Sequence, residues 1–111
     1  MTIDKQPLTD VGPAIPPPSW CLPGVEPQWD RLTEPFGGDM VCTWSRDVSG
    51  GVWIEAYDRI IDGRVMRSAP RILYWEPPMD GFTCEQAREL AAGLVAAADI
   101  IACAAFDEAM R

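Results

Sequence analysis

The last quarter of the chain constrains the fold most. Thr83 stands three residues before Gln86, directly after the turn-rich run Glu76-Pro77-Pro78-Met79-Asp80-Gly81. That spacing is a capping box, in which two side chains satisfy first-turn backbone N–H groups that a helix cannot satisfy itself. Beyond it Ala87, Leu90, Ala91, Leu94, Ala98, Ile101 and Ala105 recur at spacings of three and four, with Glu85, Arg88, Glu89, Asp99 and Asp107 on the other side. The period predicts a helix over about 84–110 with one buried face. Alanine permits close approach, so that face should meet a flat sheet or a second helix. At 1.5 Å per residue the helix would be roughly 40 Å long, whereas a typical strand spans about 17–20 Å. The distal turns, with Ile100, Ile101, Ala104 and Phe106, should therefore overhang the sheet and pack on the N-terminal segment or on a second protomer. Ile100, Ile101 and Ala105 are the candidate residues for self-association, as a homodimer through this helix.

Three strands are expected ahead of it, over about 39–46, 52–60 and 71–75, the last with a short extension at Arg64 to Arg67. Alternation places Met40, Cys42 and Trp44 on one side of the first strand and Val52, Ile54 and Ala56 on one side of the second, which supplies the face for the helix. Asp47 to Gly51 reads as a hairpin loop, Asp62-Gly63 as a turn, and Pro70 as a strand start or edge. The expected fold class is α+β: a three-stranded antiparallel meander packed by one long C-terminal helix.

Eight of the eleven prolines lie at or before Pro35. Residues 1–18 therefore read as an extended proline-rich leader, and 19–111 as a single domain. Ser19 to Gly38 carries Trp20, Trp29 and Phe36 among prolines; it reads as irregular chain that wraps the domain, and its covering of the outer side of the sheet is the reading that competes with a partner surface there.

With 111 residues there is room for one core. The net charge of −8 and pI near 4.3 argue against direct nucleic-acid binding, which needs clustered Lys and Arg. No apolar run is read as reaching the roughly 18–20 residues that span a bilayer, and residues 1–10 lack a signal-peptide pattern. The expectation is a cytoplasmic protein without membrane contact. Cys21, Cys42, Cys84 and Cys103 include no close pair, so reduced thiols are expected.

Histidine is absent, which removes the commonest general base and the usual partner of a nucleophilic Ser or Cys. No catalytic, cofactor-binding or metal-ligating set is assigned. Glu55 with Asp58 and Asp107 with Glu108 read as solvated charge. Cys84 is the candidate reactive thiol, because a helix first turn can lower a thiol pKa; the competing reading buries it under the sheet. Cys103 falls on the side of Glu85 and Asp99 and should be exposed unless a second subunit covers it. On the second strand Trp53, Tyr57 and Arg59 share one side, with Arg71 and Trp75 (or Tyr74) nearby, flanked by Arg64 and Arg67. Trp53, Tyr57, Arg59, Arg71 and Trp75 form the candidate partner surface, since aromatic residues and arginine are enriched in interface hot spots.

The run Thr83-Cys84-Glu85-Gln86-Ala87-Arg88-Glu89-Leu90-Ala91 and the Pro18-Ser19-Trp20-Cys21 motif resemble those of small actinobacterial and actinophage proteins of uncharacterised function. The resemblance spans about residues 18–99. It implies provenance and fold more than activity; relatives often place histidines after Trp-Cys, and Leu22 to Trp29 has none, so a metal site is not carried over to this chain. The functional expectation is a non-enzymatic accessory or regulatory protein of phage or prophage origin that binds another protein. The alternatives are a small-ligand or thiol-responsive module and an acidic nucleic-acid mimic.

Overall fold

The structure, a computed structural model, describes residues 13–31, 40–76 and 79–110. In chain order its elements are β1 (Trp29–Arg31), β2 (Met40–Ser49), β3 (Val52–Ile61), β4 (Arg64–Arg67), β5 (Arg71–Tyr74) and the helix α1 (Cys84–Ala109). All strand pairs are antiparallel. The centre of the sheet is the β2–β3 hairpin, which pairs Met40 with Ile60 and runs to Ser49 opposite Val52. Directly opposed residues share a face, so the apolar alternation of both strands converges on one side. Cys42, Trp44, Val52, Ile54 and Ala56 are all buried there.

Both tight turns follow from backbone handedness. Gly50 and Gly51 have φ of 62° and 78°, and Asp62 and Gly63 have 54° and 77°. Two successive positive φ values make the turn whose twist matches flanking antiparallel strands. The first hairpin is tighter than the expected five-residue loop, because a register shift between Asp47 and Ser49 absorbs the extra residue within β2.

The sheet has five strands where three were expected. The third strand is real but split: β4 pairs with Asp58–Ile61 and β5 with Val52–Glu55, both on β3. Between them Ser68 N donates to Tyr57 O and Tyr57 N donates to Ser68 Oγ, each at 2.8 Å. The side chain substitutes for the ladder where the chain bends toward Pro70, which has no N–H to give. β1 is the further addition, set on the edge of β2 with Trp29 opposite Cys42. Three residues among prolines carry little strand signal of their own, and the neighbouring edge decides the outcome.

The capping box forms as expected. Thr83 Oγ1 accepts from Gln86 N at 3.1 Å and Gln86 Oε1 accepts from Thr83 N at 2.9 Å. One long C-terminal helix packs on an antiparallel sheet, but its contact stripe is rotated from the one expected. Gly93 and Ala97 are buried and Leu90, Leu94, Ile100, Ile101 and Ala104 pack beside them, whereas Ala87, Ala91, Ala98 and Ala105 are exposed. Backbone approach sets the rotation. A Cβ on Gly93 would lie 2.5 Å from Ser49 O, and one on Gly50 would lie 2.6 Å from Glu89 O. Two glycines thus let helix and hairpin turn touch main chain to main chain.

The distal turns of α1 pack on the N-terminal segment, the first of the two expected arrangements. Ile15 and Trp20 join Ile100, Ile101 and Ala104 in the core, and Ser19 Oγ donates to Glu108 Oε2 at 2.6 Å.

One exclusion needs correction. α1 is long and apolar enough to cross a membrane, with a mean hydropathy of 1.8. Asp99 is the one acidic or basic residue between Leu90 and Phe106, because the other charges gather at the two ends. Only 11% of the most apolar 18-residue stretch of α1 is buried, and length and composition alone do not set this helix apart from a spanning one.

Candidate partner surface on the open face of the sheet

The two faces of the sheet use similar side chains for different ends. On the inner face, under α1 and the N-terminal segment, Asp58 is fully buried. It accepts from Trp44 Nε1 at 2.7 Å and from Arg67 Nε and Nη2 at 2.9 and 2.8 Å. The Arg67 guanidinium lies 5.9 Å from the Trp44 ring centroid. Hydrogen bonding to Asp58 raises the already high Arg67 pKa. Asp58 was expected to be solvated beside Glu55. Three residues apart on a strand, the two carboxylates instead point to opposite faces, and only Glu55 stays near water.

This network also fastens the proline-rich segment. Arg67 Nη2 donates to Pro16 O at 2.8 Å, Arg46 Nη1 to Trp20 O at 3.0 Å and Trp29 Nε1 to Pro13 O at 2.9 Å. An extended chain without internal hydrogen bonds offers free carbonyls, and the inner face supplies donors for them. Residues 13–31 therefore lie along the inner side and its β1 edge. The expected covering of the outer side is not made by the described part of that segment; residues 32–39, with Phe36, lie outside the described residues, as does most of the leader, 1–12.

On the outer face the β2–β3–β5 register builds cross-strand rows: Asp47–Trp53–Leu73, Ser45–Glu55–Arg71, and Thr43 opposite Tyr57. Along β3, Glu55 sits between two aromatic donors. Trp53 Nε1 donates to Glu55 Oε1 at 3.0 Å and Tyr57 OH donates to Glu55 Oε2 at 2.8 Å. The bond to this carboxylate, aided by desolvation, raises the Tyr57 phenol above its ordinary value. Trp75 follows β5 and stacks on Trp53 with centroids 5.3 Å apart and planes at 51°. The Trp75 backbone N–H donates to Gly51 O at 3.1 Å. The hairpin turn, with no Cβ at Gly51, leaves room for the indole, since a Cβ there would stand 3.0 Å from Trp75 Cδ1. Trp75 is 71% exposed and Tyr57 40% exposed. A cleft of about 440 Å³ opens in front of the tryptophans, lined also by Ser45, Asp47 and Ser49. A second, of about 300 Å³, lies among Glu55, Tyr57, Ser68 and Arg71.

The structure thus brings together Trp53, Tyr57, Arg71 and Trp75 on one surface. Arg59 lies at its far end, half-buried between Val41 and Met66 in the register. Arg67 is not a flank of this surface, because it faces inward to Asp58. Tyr74 sits opposite Val52 and belongs to the inner side, which leaves Trp75 as the outer aromatic. Asp47 and Glu55 were not selected by sequence reading. Alternation from Trp53 would have found Glu55, whereas Asp47 needed the hairpin register.

Cys84 is exposed at the helix start rather than buried beneath the sheet, because the first turn of α1 lies ahead of Leu90, the first helix residue to reach the core. Cys103 is exposed as expected. Burial pushes the Cys21 and Cys42 thiols above their ordinary range. Of the self-association candidates, Ile100 and Ile101 face the core beside Trp20, and Ala105 is exposed. Among the described residues no three His, Cys, Asp or Glu side chains converge as a metal set.

These features define an α+β protein with a five-stranded antiparallel sheet roofed on one side by a single helix. The chain is 52% identical over 102 residues to two Mycobacterium tuberculosis proteins, named uncharacterized protein Rv2645 (strain H37Rv) and uncharacterized protein MT2723 (strain CDC 1551); each match covers 86% of this chain and 71% of the relative. The chain belongs to the family of these actinobacterial proteins. No family model matches it, and no solved structure does.

Proposed function

We propose that this protein is a non-enzymatic accessory or regulatory protein that binds another protein through the outer face of its sheet. The observation that carries the reading is Trp75, largely exposed yet held on Trp53 and Gly51. A large apolar ring fixed before binding loses little conformational freedom on contact, which is the property of an anchor residue. Arg71, Tyr57 and Arg59 extend the same surface with residue types that interfaces favour. The net charge of −8 suits a basic partner, with association slowed by salt. Absence of histidine supports a binding role over acid–base chemistry. A cytoplasmic location and a phage or prophage origin belong to the same proposal; the seating of α1 on the sheet supports the first, and the resemblance of its helix motif supports the second.

The test is affinity capture from mycobacterial lysate with the wild-type chain and with Trp75→Ala and Val95→Ala variants over a series of salt concentrations. A partner retained by wild type and V95A and lost by W75A is expected. An identical captured set for all three would overturn the reading, and capture insensitive to salt would remove its electrostatic part.

A further inference from the structure

We infer that Trp53, Trp75 and Asp47 form a seat for an arginine side chain of a basic protein partner, an inference that rests on the outer face being the partner surface. Asp47 and Trp53 are direct cross-strand partners, which places their β-carbons within about 5.5 Å. Trp75 closes the other side, its ring tilted 51° to that of Trp53. Rings at such an angle form a corner, and the cleft of about 440 Å³ lies against it.

A cation is drawn to aromatic faces, most strongly to tryptophan. Here the attraction is reinforced. Trp53 Nε1–H donates to the Glu55 carboxylate, which pushes electron density into the indole ring. Asp47 is exposed and makes no ion pair or side-chain hydrogen bond among the described residues, so its carboxylate is available at the rim. An anionic ligand would meet Asp47 and Glu55 and be repelled. Arg71 is the cation near this corner, one row away and opposite Glu55.

The polar lining distinguishes guanidinium from other cations. Asp47, Ser45 and Ser49 present oxygen acceptors around the corner. A guanidinium carries five N–H donors in a planar fork and also stacks on aromatic faces. A quaternary ammonium has no donor and would leave those acceptors unused, and a lysine ammonium cannot stack.

The experiment is a tryptophan-fluorescence titration of the full chain with a blocked Gly-Arg-Gly peptide, compared with the same peptide carrying neutral citrulline or lysine. Saturable binding of the arginine peptide is expected, with lysine weaker and citrulline weaker by about tenfold or more. W75A should lose about tenfold. D47N should lose about threefold and flatten the salt dependence, with an unchanged unfolding midpoint that shows the fold intact. Equal binding of the arginine and citrulline peptides, or variants that bind like wild type, would overturn the seat. Lysate capture lost in W75A together with no arginine preference refutes the seat and leaves the partner surface standing. Arginine-selective binding lost in W75A while lysate capture is unchanged supports the seat and refutes that surface as the site of capture.

Discussion

Each face of the sheet carries a tryptophan that donates its indole N–H to a carboxylate, with an arginine on the neighbouring strand. Inside, Trp44, Asp58 and Arg67 meet under α1 and the proline-rich segment. Outside, Trp53 and Glu55 meet with Arg71 opposite, and the neighbouring Trp75 projects into solvent. The same chemistry has two uses because the surroundings differ. Removed from water, each polar group must be satisfied by another, so the inner set acts as a clasp. At the surface, water can replace any partner lost, so the outer set contributes little to folding and remains available for contact.

The largest expected effect tests this contrast directly. Arg67→Met should strand the fully buried Asp58 carboxylate and release the bond to Pro16 O, costing about 3–5 kcal/mol, whereas Arg71→Met should cost about 0–1 kcal/mol. Urea unfolding of both variants decides it, and equal losses would break the distinction between the faces. Next in size is the seam between helix and hairpin. Gly93→Ala gains about 1 kcal/mol in helix propensity, yet its Cβ would stand 2.5 Å from Ser49 O, a backbone atom. A net loss of about 1–3 kcal/mol is expected, and an unfolding midpoint at or above wild type would show that the close approach is dispensable.

Thiol reactivity sharpens the comparison without altering stability. Cys84 and Cys103 are exposed, while Cys21 and Cys42 are buried with raised pKa values. Native titration with a disulfide reagent should therefore show two fast thiols of the four; a third or fourth fast thiol would show that the inner face opens readily. The smallest effect concerns Tyr57. Its bond to Glu55 favours the neutral phenol, so in a Tyr74→Phe background phenolate absorbance should appear above the ordinary value near 10, and Glu55→Gln should move it back down. Because the folded value is raised, this contribution to stability is complete below about pH 10 and is lost as pH climbs through the folded value. An unmoved midpoint in E55Q would deny the rail of bonds along β3.

Local rules made part of this legible. The capping box at Thr83 and the glycine turns at residues 50–51 and 62–63 depend on nearest neighbours, so sequence reading places them. The same holds for the alternation of Met40 to Trp44 and of Val52 to Ala56. Asp58 shows where such reading ends. It continues the buried alternation by position, but its charge argues for water, and only Arg67 and Trp44 arriving from neighbouring strands reverse that argument. The outer site divides in the same way: Trp53 and Tyr57 are readable from one strand, whereas Asp47 joins them only through the β2–β3 register.

By itself the amino-acid sequence determined the α+β composition, the start of the helix, the turn positions and the pairing of apolar sets, because each follows from backbone sterics and side-chain period within a few residues. Only tertiary structure decided which stripe of α1 is buried, which face receives the proline-rich segment and which tryptophan stays exposed. Those outcomes depend on contacts between residues distant in the chain. Two glycines that bring backbones together, and one buried carboxylate that requires partners, settle them.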